Sequence, residues 1–130
     1  HPNQISGRKR PLHTIIPGMF GKNDDVLGSF GVMGGHYQAA GHAFILSQIL
    51  DFHLSPQCAL DLPRVFPNNG ILDIEENFDS NLIAELKNKG HKINYPALPI
   101  GGGQIIVNDI DKGISLGASD WRKDGIALGV

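Results

Sequence analysis

Two successive glycines, Gly34 and Gly35, are the residues of this sequence best suited to chemistry. They end a β-rich segment and directly precede an apolar segment that predicts a helix from His36 to about Phe52. Glycine allows unusual backbone angles and close approach of a ligand, and amides at a helix N-terminus lie at the positive end of its dipole. Such N–H groups suit the oxyanion of an acyl transfer. A tight strand-to-helix turn is the alternative interpretation.

Other constellations do not form a recognisable site. The histidines at positions 36, 42 and 53 lack the i, i+4 pairing of a helical zinc site. The glycines at 101–103 are not followed by the Lys-Ser or Lys-Thr of a phosphate loop, and residues 109–113 lack further calcium ligands. We therefore expect no cofactor and no metal.

Two arginines and one cysteine are candidates for structural roles. Arg64 and Arg122 each lie beside a turn, where Arg more often pairs with a carboxylate or with backbone carbonyls than with a ligand. Cys58 is the single cysteine, so no internal disulfide is possible. It has no basic neighbour in a short predicted helix, and we predict a small packed residue rather than a nucleophile.

The elements that position these residues alternate between short strands and helices. Residues 1–11 are polar and turn-rich and predict an extended surface segment. A strand over residues 12–20, bent at Pro17-Gly18, and a second over residues 26–33 predict an antiparallel hairpin. The helix after it has apolar side chains on nearly every face, which predicts burial.

The remaining segments complete a mixed domain. Ser55 and Pro56 predict the cap and first residue of a short helix. An amphipathic helix capped by Asp79 or Ser80 and ending near Gly90 should lie on a sheet. Further strands are predicted over residues 71–75, 104–107, 114–119 and 126–130. We predict one α+β domain over residues 1–130.

The composition excludes several classes of protein. With 41% hydrophobic and 18% charged residues, the chain of 130 residues has the composition of a folded domain. The net charge of -2 and a single basic triplet at residues 8–10 argue against nucleic acid as a partner. Apolar runs are far shorter than the roughly 20 residues that cross a bilayer. Both a cytoplasmic and a periplasmic or secreted location stay open.

Several motifs resemble the C-terminal part of the small subunit of γ-glutamyltransferases. They are Arg10-Pro11-Leu12-His13-Thr14-Ile15-Ile16-Pro17, Gly31-Val32-Met33-Gly34-Gly35, Leu62-Pro63-Arg64, Gly90-His91-Lys92-Ile93, Gln104-Ile105-Ile106 and Gly117-Ala118-Ser119-Asp120-Trp121-Arg122-Lys123-Asp124-Gly125. Each motif alone is weak, but together they follow the family's order from about Arg8 to Val130. Trp121 replaces the proline of the family's usual Asp-Pro-Arg, and we expect it to cover apolar surface.

The resemblance implies an N-terminal-nucleophile hydrolase with an αββα sandwich, made by autocleavage into a large and a small subunit. The family's nucleophile is the Thr exposed at the N-terminus of the small subunit. The only threonine here is Thr14, inside a motif, and the chain begins with His1. We therefore expect a fragment or processed subunit that is inactive alone because the nucleophile lies elsewhere. Gly34 and Gly35 are implied as its oxyanion hole.

The resemblance also implies a substrate-binding role for His13 and Thr14, which align with a Ser-Ser pair that holds the α-carboxylate of the glutamyl group. Thr14 keeps a hydroxyl donor, whereas His13 adds bulk and a side chain that can carry a positive charge near neutral pH. Glutamyl specificity is therefore open. Because side chains alternate along a strand, one interpretation is that only Thr14 meets the pocket.

Three hypotheses about function follow. The leading one is the C-terminal portion of a γ-glutamyltransferase or glutathione hydrolase, which acts on γ-glutamyl amides. The second is a related acylase for other amides. The third is an inert assembly module with an exposed apolar sheet face, which allows self-association. The expected partners are the large subunit, the missing N-terminal part of the small subunit and a small γ-glutamyl substrate.

Overall fold

The computed structural model describes residues 1–129 and has the predicted α+β composition. The chain begins with 17 residues that form no helix or strand. The regular elements that follow are β1 (Gly18–Lys22), β2 (Asp25–Met33), α1 (Tyr37–Leu50), α2 (Pro56–Asp61), β3 (Val65–Asn68), β4 (Ile71–Ile74), α3 (Ser80–Asn88), β5 (Ile93–Asn94), β6 (Gly102–Asp109), β7 (Ile114–Ser119) and a 3₁₀ turn (Trp121–Lys123).

The larger sheet is antiparallel throughout, with the strand order β1-β2-β6-β7. The predicted hairpin of β1 and β2 is confirmed, and its turn contains Asn23 with a positive φ of 55°. The first strand was predicted too early, because it begins at Gly18 and not at Leu12. Pro17 has no N–H to donate to a ladder, so pairing starts after it.

Helices α1 and α2 cover one face of this sheet. Alternate residues of the strands point towards the helices, among them Phe30, Val32 and Ile105, and pack against Ile45 and Leu60. The prediction of a fully buried α1 was wrong. Only three of its residues are buried, and Leu50 is 49% exposed. The described chain offers α1 a single packing surface, which leaves its outer side uncovered.

The smaller sheet has the order β3-β4-β5. Strand β4 and helix α3 were predicted, and the Asp79 carboxylate accepts a hydrogen bond from the N–H of Leu82 at 2.8 Å as an N-cap. The edge strand β3 was not predicted, because Pro67 interrupts its pattern. Ile83 is the one buried residue of α3, so the amphipathic stripe is only partly covered.

The C-terminal strand predicted over 126–130 is wrong for residues 126–129, which form no strand, and Val130 lies outside the described residues. The segment runs beside β7, since a Cβ on Gly117 would lie 3.3 Å from the Cβ of Ala127. Ile126 and Leu128 are 75% and 81% exposed. Within residues 1–129, no helix is both long and apolar enough to span a membrane.

Candidate functional site

The glycine pair forms the turn between β2 and α1. Gly34 and Gly35 have φ values of 131° and 57°, a region that disfavours other residues. The carbonyl of Gly34 accepts from the N–H of Tyr37 at 3.0 Å, and that of Gly35 accepts from the N–H of Gln38 at 3.1 Å. These two bonds begin α1. The backbone therefore requires glycine at position 34 and favours it at position 35, whatever the chemical role of the pair.

The N–H groups of Gly34 and Gly35 remain available at the positive end of α1. Among residues 1–129, neither N–H donates to a loop carbonyl or to a side chain. His36 provides no side-chain cap, and the first turn of α1 contains no acidic residue. The dipole of this helix is therefore not offset locally, and it favours negative charge beside the glycines.

The position of Gly34 is tightly enclosed, whereas that of Gly35 is open. A Cβ on Gly34 would lie 2.9 Å from the Cα of Gly101 and 3.3 Å from the Cβ of Tyr37. Gly101 itself has a φ of 68° and lies against the carbonyl of Met33. A Cβ on Gly35 would meet nothing within 4 Å. Gly34 therefore packs against the loop before β6, and Gly35 faces solvent.

Both predicted pairs line the same surface depression, which has a volume of about 480 Å³. Its lining consists of His13, Thr14, Met33, Gly34, Gly35, His36 and Gln38. The segment of His13 and Thr14 is not a strand, so strand alternation does not separate the two side chains. The tertiary structure therefore brings together residues that are about twenty positions apart in the sequence.

Two residues of α1 that were not predicted as site residues bind backbone groups in or next to this depression. The Nε2 of Gln38 donates to the carbonyl of Thr14 at 3.1 Å, and the Nε2 of His42 accepts from the N–H of Val32 at 3.0 Å. Burial lowers the pKa of His42, which favours the neutral imidazole that this bond needs. The sequence feature that could have identified Gln38 and His42 is their i, i+4 spacing shortly after the glycine pair.

The prediction of structural roles for Arg64 and Arg122 is confirmed. Arg64 binds the Asp120 carboxylate at 2.6 Å, and Arg122 binds Glu75 through two bonds of 2.5 and 2.7 Å. Both arginines also donate to the carbonyl of Leu60. All four charged side chains are at least nine-tenths buried. They tie the ends of α2, β4, β6 and β7 together.

Both carboxylates of this network have a pKa below the ordinary value. Burial raises the pKa of Glu75, but hydrogen bonds from Arg122 and from the N–H of Arg64 outweigh burial and lower it. Burial also raises the pKa of Asp120, and the charge of Arg64 with hydrogen bonds from backbone N–H groups lowers it overall. The network is therefore charged and paired at neutral pH.

The prediction for Cys58 was wrong. Cys58 is exposed, not packed, because it lies on the outer side of α2. Trp121 is 52% exposed, and the Arg122 guanidinium lies 4.6 Å from its ring centre. Residues 1–129 contain no cluster of three or more potential metal ligands.

The larger sheet is antiparallel with helices on one face, and the glycine pair lies where a strand meets a helix. The solved γ-glutamyltranspeptidase of Pseudomonas nitroreducens, complexed with L-DON, superposes with a TM-score of 0.83, which places this chain in the N-terminal-nucleophile hydrolase fold. The superposition covers 100% of this chain and 69% of that chain at 23% identity, which establishes the fold alone.

The chain belongs to the gamma-glutamyltranspeptidase family, whose sequence profile matches residues 1–130. The glutathione hydrolase-like YwrD proenzyme of Bacillus subtilis (strain 168) is 29% identical over 138 residues, which cover 100% of this chain and 26% of that protein. The solved cephalosporin acylase of Bacillus halodurans is 40% identical with a TM-score of 0.79, over 91% of this chain and 23% of that one. The chain thus spans about a quarter of the length of these relatives.

Proposed function

We propose that the protein containing this chain cleaves γ-glutamyl amides and passes the glutamyl group to water or to an amine. The observation that carries the proposal is the glycine pair. The pair lies at the N-terminus of α1 and lines the depression that His13 and Thr14 also line. Membership of the gamma-glutamyltranspeptidase family favours acyl transfer as the reaction.

In this proposal the nucleophile is a threonine outside residues 1–130. Its hydroxyl oxygen attacks the γ-carbonyl carbon, and its proton passes to a base, such as the α-amine of that threonine. The carbonyl oxygen becomes an oxyanion that accepts hydrogen bonds from Gly34 and Gly35. Collapse of this intermediate expels the protonated amine and leaves an ester. Water or an amine acceptor then attacks the ester carbonyl and releases the threonine.

His13 and Thr14 are proposed to hold the α-carboxylate of the substrate. The Thr14 hydroxyl supplies a neutral donor, and His13 supplies a second donor that carries charge when protonated. Both residues line the same depression as the glycine pair. In this proposal the distance between the two pairs sets the length of the acyl chain that fits.

In this proposal, this chain and the rest of the protein supply different parts of the active site. Residues 1–130 supply the oxyanion and carboxylate walls as one domain, and a large subunit with the N-terminal part of the small subunit supplies the nucleophile. The Bacillus subtilis relative is a proenzyme by name, which fits a cleaved precursor. Residues 1–130 alone are therefore expected to be inactive.

An acylase for other amides is the second candidate. The observation that favours it is His13, a bulky and titratable residue in the proposed carboxylate wall, together with 40% identity to the cephalosporin acylase of Bacillus halodurans. A dicarboxylic acyl group such as glutaryl or adipyl also ends in a carboxylate. It lacks the α-amine of the glutamyl group.

Hydrolysis of anilides by the full-length protein tests the two candidates. We expect release of the aniline from a γ-glutamyl anilide, with lower kcat/KM for the glutaryl and adipyl anilides. Thr14→Val should raise KM for the γ-glutamyl anilide because it removes the hydroxyl and keeps the shape. Activity confined to glutaryl or adipyl anilides would replace the glutamyl assignment with the acylase. Activity on none of these anilides would exclude both candidate functions.

A further inference from the structure

Gln38 and His42 lie one turn apart on α1, and each holds a backbone group of a different segment. Gln38 donates to the carbonyl of Thr14 at 3.1 Å, and His42 accepts from the N–H of Val32 at 3.0 Å. Side chains separated by four residues share one side of a helix. Helix α1 therefore contacts the segment of Thr14, which lines the depression, and strand β2, which leads into the glycine pair, through two neighbouring polar side chains.

The bond from Gln38 is the main restraint on the wall that contains Thr14. Residues 10–17 form no helix or strand, and within residues 1–129 this is the one hydrogen bond that joins them to another element. Without it, the position of Thr14 relative to α1 depends on contacts between exposed side chains. A single directional bond thus determines where the proposed carboxylate donors lie.

The bond to His42 replaces a missing strand partner. Strand β1 begins at Gly18, which pairs with Phe30, so the chain of β1 does not reach Val32. On its other side Val32 pairs with Gly103 of β6. The imidazole accepts the N–H that β1 leaves free, and a buried donor without an acceptor is costly. This bond joins α1 to β2 two residues before the glycine pair.

We propose that Gln38 and His42 are positioning residues for the two halves of the site, an inference that rests on the proposed function. Gln38 sets the position of the carboxylate wall and so acts on substrate binding and acyl-group specificity. His42 sets the end of β2 and so acts on the orientation of the Gly34 and Gly35 N–H groups. Neither side chain needs to touch the reacting atoms.

The variant Gln38→Glu in the full-length enzyme tests the first half. An ionised carboxylate has the same shape but cannot donate to the Thr14 carbonyl and is repelled by it. We expect KM for a γ-glutamyl anilide to rise about tenfold, with kcat changed less than about twofold. The 4-aminobutyryl anilide, which lacks the α-carboxylate, should keep its KM. Gln48→Glu, the same change near the other end of α1, is the matched control.

The pair His42→Phe and His42→Gln tests the second half. Phenylalanine leaves the Val32 N–H without an acceptor, whereas the Oε1 of glutamine replaces the Nε2 of histidine. We expect His42→Phe to lower kcat about tenfold with little change in KM, whereas His42→Gln should keep most of the wild-type kcat. Equal losses in both variants would overturn the role of His42.

The outcomes separate this inference from the function on which it rests. A wild-type enzyme that cleaves the γ-glutamyl anilide, with Gln38→Glu behaving like Gln48→Glu, would overturn the role of Gln38 and leave the function standing. Parallel losses of kcat/KM for both anilides in Gln38→Glu would show a general defect and would also overturn it. A wild-type enzyme that cleaves neither anilide would overturn the function and the inference together.

Discussion

At position 34, the backbone angle, the packing and the proposed chemistry all require glycine. Its φ of 131° and the approach of Gly101 leave no room for a Cβ, and its N–H lies at the open end of α1. Gly35 shares the positive φ but faces open space. A side chain at Gly34 must therefore displace the turn itself, whereas one at Gly35 mainly strains its own backbone.

We predict that Gly34→Ala in the full-length enzyme lowers kcat by on the order of a hundredfold, because the turn moves and an oxyanion donor is misplaced. Steady-state hydrolysis of the anilide substrate measures this. Gly7→Ala is the control, since a Cβ there meets nothing within 4 Å and φ is ordinary. Wild-type kcat in Gly34→Ala would exclude Gly34 from the oxyanion hole.

At the scale of elements, four buried charges hold the ends of strands and helices that are distant in sequence. Glu75 follows β4, Asp120 follows β7, and Arg64 and Arg122 reach between them to the end of α2. Each carboxylate oxygen also accepts from backbone N–H groups such as that of Gly103 at 2.7 Å. Such a network stabilises only when complete, because each buried charge needs its partner.

Removing one partner should therefore destabilise the fold strongly. Arg122→Met leaves Glu75 buried and unpaired, and we predict a loss of about 3–5 kcal/mol in the free energy of unfolding. Chemical denaturation of the full-length protein measures it. Lys112→Met is the control, because the Lys112 side chain is 72% exposed in its ion pair with Asp109. That control should be indistinguishable from wild type, and an equally small effect of Arg122→Met would contradict the prediction.

The same network predicts loss of stability in acid. The pKa values of Glu75 and Asp120 are lower in the folded chain than their ordinary values of 4.5 and 3.8. Between the ordinary and the folded values the unfolded chain binds more protons, so stability is present above about pH 4.5 and is lost as the pH falls through the folded values.

Glu75→Gln tests this linkage. The variant should be less stable than wild type at pH 7, and the gap in Tm should narrow as the pH falls below about 4.5, because wild type then loses the charge that the variant lacks. Glu76→Gln, an exposed neighbour, is the control and should follow wild type at every pH. A gap that stays constant with pH would show that the charge of Glu75 contributes nothing.

At the scale of the whole molecule, one face of the larger sheet is uncovered. Met19 and Ile106 lie on either side of Ser29 on the face opposite α1 and are 68% and 49% exposed. They border an apolar depression of about 410 Å³. Since the chain spans about a quarter of its relatives' length, we predict that this face contacts the rest of the protein.

Expression of residues 1–130 alone tests that assignment. We predict that the isolated chain self-associates and binds a hydrophobic dye, and that Met19→Lys with Ile106→Lys shifts it towards monomer. Light scattering measures the mass. Leu98→Lys is a control elsewhere on the surface, because Leu98 is 79% exposed and lies in another depression. A monomeric wild-type chain that binds no dye would contradict the prediction that this face lacks its partner.

Much of the fold could be predicted from local sequence. The caps at Ser55 and Asp79, the β2 and β6 strands and the turn after β1 depend on residues close together in the chain. The misses depend on distant groups. Strand β3 exists because β4 pairs with it despite Pro67. Residues 126–129 form no ladder with β7 and are not part of the sheet.

The sequence by itself determined the family, the glycine pair at a helix start and the structural character of Arg64 and Arg122, because these follow from motif order, dihedral limits and side-chain chemistry. Only the tertiary structure decided which residues meet. It brought His13 and Thr14 to the glycine pair and gave Gln38 and His42 their backbone partners. Hydrogen bonds act over about 3 Å, and which groups come that close depends on how the chain folds.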